Sequence, residues 1–282
     1  MMNQRLCMAV NSIGGTTDEQ MELFKRVGFD AYAIDWEDDD MVRVRAVGDR
    51  LGMTFEYVHA PLRPITHMWR GGEDAEAGLA VIMKCLEDCA AAEVPTVVCH
   101  AIGGMPELVN QREGLDRFGK IVERAKELGI RIAIENAEGE AHLDAVMKEF
   151  WDDPWVGFCW DTGHELCHNS GKDMMALYGE KMICTHINDN LGVKDFYGNR
   201  DWRDDSHLLP FDGITDWESV VDRLNRYGYD RPLCFELSRC NKPDRHESDI
   251  YNMLSLEDYI MEAYKRACRV AALKMRRAKI GG

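Results

Sequence analysis

Six polar residues stand where apolar runs of the chain end. The runs "FEYVH" (55–59), "PTVVCH" (95–100), "RIAIE" (131–135), "VGFCWD" (156–161), "MICTH" (182–186) and "PLCFE" (232–236) close on His59, His100, Glu135, Asp161, His186 and Glu236. Imidazoles and carboxylates gathered in one place suit a hard-to-borderline divalent cation: Mn2+, Co2+, Mg2+ or Zn2+. Carboxylates flanking a bound molecule also serve as general bases and acids. His164 and the pair Asp205 and His207 lie in the segments that follow two of these runs. Singly, each residue has a plainer role. A strand-end carboxylate caps the next helix, and a lone histidine packs in a core. Asp161 therefore carries two readings, cap or ligand. Together the plainer roles weaken, because clustered carboxylates repel one another. Asp35 also ends a run, "AYAID" (31–35), but the acidic stretch "DWEDDD" assigns it to a solvated loop.

For these ends to meet, the runs must be strands of one sheet. With "LCMAV" (6–10) and 31–35 there are eight of them. Between them the chain shows i, i+3, i+4 apolar patterning, as in 17–28, 77–92, 115–129 and 217–228. Three of these four helices end on glycine, a common stop. A long terminal helix is predicted over 255–277. Eight strand–helix units in 282 residues predict an α/β fold, a closed (β/α)8 TIM barrel whose strand ends converge at one mouth. No G-x-G-x-x-G follows the first strand, so a dinucleotide-binding open sheet has no support. No composition break or linker divides the chain, and a single domain over 1–282 is expected. Two connections, 60–74 and 187–213, are too long for turns; both follow strands and belong at the mouth.

The formal charge of −16 disfavours nucleic acid as a partner, since such binders present basic faces. The ten cysteines include no C-x-x-C pair, and several sit inside apolar runs. They read as small buried hydrophobes in a reducing compartment, and a thiol zinc site is not expected. There is no apolar leader and no run of 18 apolar residues, so a cytoplasmic protein without membrane contact is expected.

The set "IEN…DTGH…HINDN…HLLPFDG…FEL", with "YVHAPL" and "VVCH" ahead of it, resembles the xylose-isomerase-like TIM barrels, a group of sugar isomerases, epimerases and relatives that includes endonuclease IV. The resemblance covers nearly the whole chain. It implies that Glu135, Asp161, His186 and Glu236 occupy the divalent-metal positions, with His164 as a substrate-contacting or second-metal histidine. His59, His100, Asp205 and His207 match positions that hold further zinc ions in the endonuclease branch. Glu135 and Glu236 are then the catalytic pair. Trp69, in the Gly-flanked "HMWRGG", and Asn136, in "IEN", are candidate sugar contacts, and 60–74 is a candidate lid. Of the other aromatics near the mouth (Trp160, Phe196, Tyr197, Trp202), Trp160 reads as core. The expected activity is isomerisation or epimerisation of a ketose or related sugar. A proton leaves the carbon beside a carbonyl, and a metal stabilises the resulting enediolate. A multi-zinc phosphodiester hydrolase and a sugar-acid dehydratase remain as alternatives. Pairing into a homodimer or tetramer is a further implication of the resemblance.

Overall fold

A computed structural model describes residues 4–104, 110–195 and 197–279. Eight parallel strands form the sheet: β1 (Leu6–Ala9), β2 (Ala31–Asp35), β3 (Thr54–His59), β4 (Thr96–His100), β5 (Arg131–Glu135), β6 (Val156–Asp161), β7 (Met182–His186) and β8 (Leu233–Phe235). Their order is β7-β6-β5-β4-β3-β2-β1-β8. The seam between β7 and β8 is held by the bridge Ile187–Phe235 and by backbone bonds from Ile187 N to Cys234 O and Glu236 N to Ile187 O. This is a nearly closed (β/α)8 TIM barrel.

Strand parity separates two cores, because successive side chains point to opposite faces. The inward set is small: Cys7, Ala9, Ala31, Ala33, Val98, Ala133, Cys159, Cys184 and Cys234, with Tyr57 the one large member. The outward set is large and packs beneath the helices, among them Met8, Tyr32, Ile34, Phe158, Trp160 and Phe235. Here the barrel interior is filled mostly by small side chains around Tyr57, while the larger ones pack between strands and helices. The same parity turns Asp35, His59, His100, Glu135, Asp161, His186 and Glu236 inward, each two residues beyond a member of the inward set.

The helices begin where their caps dictate. Thr16 and Glu19 form a capping box at Thr17–Val27, and Gly28 ends that helix at φ 123. Asp40 caps Met41–Leu51, so the end of "DWEDDD" starts a helix. The terminal helix, Leu256–Ala278, is capped by Ser255. The segment 60–74 is more structured than its sequence suggests: it contains the helix Leu62–Ile65 and the start of Glu73–Ala91.

Asp189 fixes the other long connection to the barrel. Fully buried, its carboxylate accepts from the N–H groups of Asn190, Phe211 and Thr215 and from Trp217 Nε1, at 2.8–3.1 Å. Its backbone pairs with Leu208. Asp189→Ala strands these donors in a dry place and is expected to cost about 3 kcal/mol. Urea unfolding is the measurement. A loss under about 0.5 kcal/mol would show that water replaces the carboxylate.

Candidate metal centre at the barrel mouth

Glu135, at the end of β5, is the hub. Its Oε2 lies 3.2 Å from His59 Nε2 and 3.1 Å from His100 Nε2. Its Oε1 lies 3.0 Å from His164 Nδ1 and 3.0 Å from His186 Nδ1. Burial works to raise this carboxyl, but the imidazoles of His186, His100 and His164 outweigh it and hold it well below the usual range. Glu236 follows β8 and places Oε2 3.0 Å from the same His186 Nδ1. It is held at about 2, against its burial, by His186 and His207. Asp161 lies underneath with no exposure. Burial raises its carboxyl, with His164 opposing.

Asp161 caps a helix and also stands within the candidate ligand set. Oδ1 caps the helix Thr162–Cys167 by accepting from His164 N at 2.6 Å. Oδ2 accepts from Asn188 Nδ2 at 2.9 Å and lies 4.0 Å from His186 Nδ1. Gly163 makes this approach feasible: a Cβ there would sit 1.9 Å from Asn188 Oδ1. One ligand atom from each of Glu135, Asp161, His186 and Glu236 lies within 4.8 Å of the others. Three carboxylates and an imidazole at this spacing fit a divalent cation of the hard-to-borderline class.

Two further groups flank this set: His59, His100 and Glu135, and His164, His168 and Asp205. His59 Nδ1 donates to Ala60 O at 2.8 Å and His207 Nδ1 to Glu236 O at 3.1 Å. Each backbone anchor frees Nε2 for the cavity, the arrangement that orients metal-binding histidines. His207 Nε2 reaches Asp205 Oδ1 at 2.9 Å, and His164 Nε2 reaches it at 3.4 Å. His59 and His207 are both raised to about 9 despite burial, by Glu135 and Asp35 in one case and Asp205 in the other. The cavity they line measures about 210 Å3.

Several expectations change. Trp69 does not line the cavity: it is 2% exposed, its Nε1 donates to Ala101 O at 2.8 Å, and its ring packs on Phe118 and His142. That removes the aromatic tip of the candidate lid. Asn136 does not line the cavity either. It is wholly buried, and its amide holds Asp161 O, Asp161 N and Asn169 at 2.8–3.0 Å, which positions β6. Asp35 is not in a solvated loop but on the cavity wall, with Trp36 and Glu37. Burial pushes Asp35 up to about 6 despite His59. Its signal was its place as a strand end. His168 was also missed; it follows His164 by one helical turn, and the two rings lie 4.8 Å apart. Trp160 is core, as expected. Tyr197 and Trp202 are exposed, and Phe196 lies outside the described residues.

A parallel barrel with His and carboxylate groups converging at the C-terminal ends of its strands defines a class of metal-capable TIM barrels. The chain belongs to the xylose isomerase-like TIM-barrel family, whose model matches residues 19–256. An uncharacterized protein, y4fM, of Sinorhizobium fredii is 30% identical over 222 residues; the match spans 71% of this chain and 66% of that protein, just under two thirds of its length. Among solved structures, the IOLI protein with a zinc atom superposes with a TM-score of 0.75 at 17% identity, covering 95% of this chain and 98% of that one. An L-ribulose 3-epimerase superposes at 0.72 with 15% identity, covering 99% and 98%. These two likenesses show the fold. Among the described residues no helix is long and apolar enough to cross a membrane.

Proposed function

We propose that this chain is a divalent-metal-dependent isomerase or epimerase of a ketose or related sugar. The observation that carries the reading is that Glu135 and Glu236, from strands on different sides of the mouth, share His186 Nδ1 at 3.0 Å each and both line the cavity. Glu135, Asp161, His186 and Glu236 would hold the cation. A cation there supplies Lewis-acid stabilisation of the negative charge that builds on substrate oxygen. Both glutamates are held ionised, so either can take a proton from the carbon beside a carbonyl. The proton is returned on the same or the opposite face by the partner carboxyl, and no oxidant or reductant is consumed. His164 and His207, steadied by Asp205, offer hydrogen bonds to sugar hydroxyls. The zinc in the IOLI protein and the epimerase among the solved neighbours support this reading.

The test is metal content per chain, followed by a ketose panel in D2O. About one equivalent of removable metal, with deuterium entering the carbon beside the carbonyl, is expected. A folded, metal-loaded protein that exchanges no substrate proton would refute the reading. A dehydratase shares the first step and is told apart by loss of water from the product. The two flanking groups favour a second reading, a multi-zinc phosphodiester hydrolase. Cleavage of an abasic-site duplex, with two or three zinc ions held by the mouth residues, would establish that instead.

A further inference from the structure

One layer below the mouth, four inward positions are cysteines: Cys159 on β6, Cys184 on β7, Cys234 on β8 and Cys7 on β1. These four strands are consecutive around the barrel. Three of them read Cys-x-ligand, in "CWD" (159–161), "CTH" (184–186) and "CFE" (234–236). Parity therefore sets a thiol directly beneath Asp161, His186 and Glu236. Neighbouring thiols are also in register: Cys159 pairs with Cys184, and Cys7 pairs with Cys234, whose Sγ atoms are 2.8 Å apart. All four are free and buried.

The sulfur atoms of Cys159 and Cys184 and one ring nitrogen of His186 lie within 4.8 Å of one another. His186 Nδ1 is engaged by Glu135 and Glu236. Its Nε2 is buried without a hydrogen-bond partner, on a ring with no exposed side-chain surface. A wholly buried donor or acceptor normally finds a partner. We propose that the barrel interior carries a second cation site, in which Cys159 Sγ, Cys184 Sγ and His186 Nε2 take one thiophilic ion of the class of Zn2+, Cd2+ or Cu+. Soft sulfur donors select such ions, whereas the carboxylate set above selects harder ones. Binding displaces the two thiol protons to solvent, and where Nδ1 also holds the mouth cation the remaining imidazole proton leaves as well, so that His186 bridges as imidazolate. Two thiolates then balance the charge of a divalent ion, and nothing is oxidised. His186 is the shared member, its two ring nitrogens serving two layers of different hardness. The expectation of no thiol site rested on C-x-x-C spacing, which is a local signal. Adjacent strands bring together thiols that are 25 residues apart in the chain, at 159 and 184.

The site is closed to solvent, so the ion is best offered during folding. The test is to refold chelator-stripped chain with Cd2+ and excess Mn2+, then record elemental content and the thiolate-to-cadmium charge-transfer band. The result expected is about one cadmium per chain with that band, in the wild type and in Cys240→Ser, which removes an exposed thiol. Cys159→Ala and Cys184→Ala are each expected to lose the band. No band in folded wild type, a band that survives both alanine variants, or a band lost with Cys240→Ser would overturn the site. Should the alanine variants not fold, cadmium-113 resonance of the wild type decides. A two-sulfur environment supports the site, and an all-nitrogen-and-oxygen or four-sulfur environment refutes it. The mouth offers no sulfur, so this outcome is independent of the reaction proposed above.

Discussion

Glu135→Gln and Glu236→Gln are each expected to lower ketose turnover by about 10³-fold or more, with the fold retained. Glutamine keeps the shape and one oxygen of the carboxylate but accepts no proton. The loss should therefore fall on kcat, with KM changing less. The two variants should differ in the stripped protein. Glu135 faces four imidazoles, and without its charge those rings are left as uncompensated neighbours. Glu135→Gln should thus also lower stability below about pH 9, where His59, His164 and His186 carry charge, and have little effect above it. Glu236 faces His186 and, at 3.8 Å, His207, so its variant should do so less. Metal content must be measured on each, because weakened loading would mimic a catalytic loss. Turnover within about tenfold of wild type in a loaded, folded variant would remove that residue from proton transfer.

Chelation is expected to lower the melting temperature by roughly 8–16 °C, and reloading with Mn2+ to restore it. A ligand at a thousand times its Kd stabilises by about 4 kcal/mol, and in a chain of this size each kcal/mol shifts Tm by roughly 2–4 °C. The pH dependence should have opposite signs in the two states. In stripped protein His59 and His207 titrate at about 9, above the ordinary value of about 6.5. Their contribution is fully present below about 6.5 and is lost as pH rises through about 9. His164 and His186, also raised, act in the same direction. The Cys184 thiol, held at about 7 against its burial by Cys159 and His186, opposes them with one group. Asp35, at about 6, is ionised over this range. Stripped protein should therefore weaken between about pH 7 and 9. An imidazole must give up its proton to bind a cation, so metal affinity should rise over the same interval and protons should be released on binding. Titration calorimetry in two buffers of different ionisation enthalpy counts those protons. A Tm unchanged by chelation, or binding without proton release, would contradict the placement of His186 in the site.

The barrel and its mouth were legible because both rest on short-range rules. Strand parity and the C-terminal position of His59, His100, Glu135, Asp161, His186 and Glu236 suffice to bring them together. What the sequence concealed depends on contacts between distant segments. Trp69 looks like a loop tip between turn residues, yet it is buried because Gly114, on the helix Gln111–Leu128, leaves room for it. A Cβ there would lie 2.2 Å from Trp69 Cε3. Asn136 looks like a cavity residue, yet the backbone of Asp161 occupies its amide. Asp35 was hidden by its acidic neighbours, which share its charge but not its burial.

The sparse seam between β7 and β8 has a dynamic consequence. Cys234 N, at this seam, donates to the Thr185 hydroxyl, and few backbone bonds close the circle there. Segments secured by few hydrogen bonds open at low free energy. Yet His186 and Glu236, one from each side of the seam, converge to 3.0 Å. Whatever is bound between them acts as a clasp on the least-stitched join of the barrel. Amide exchange at Thr185, Ile187, Cys234 and Glu236 would then report site occupancy, slowing when the clasp is closed, while exchange across the fully registered β4–β5 pair stays unchanged.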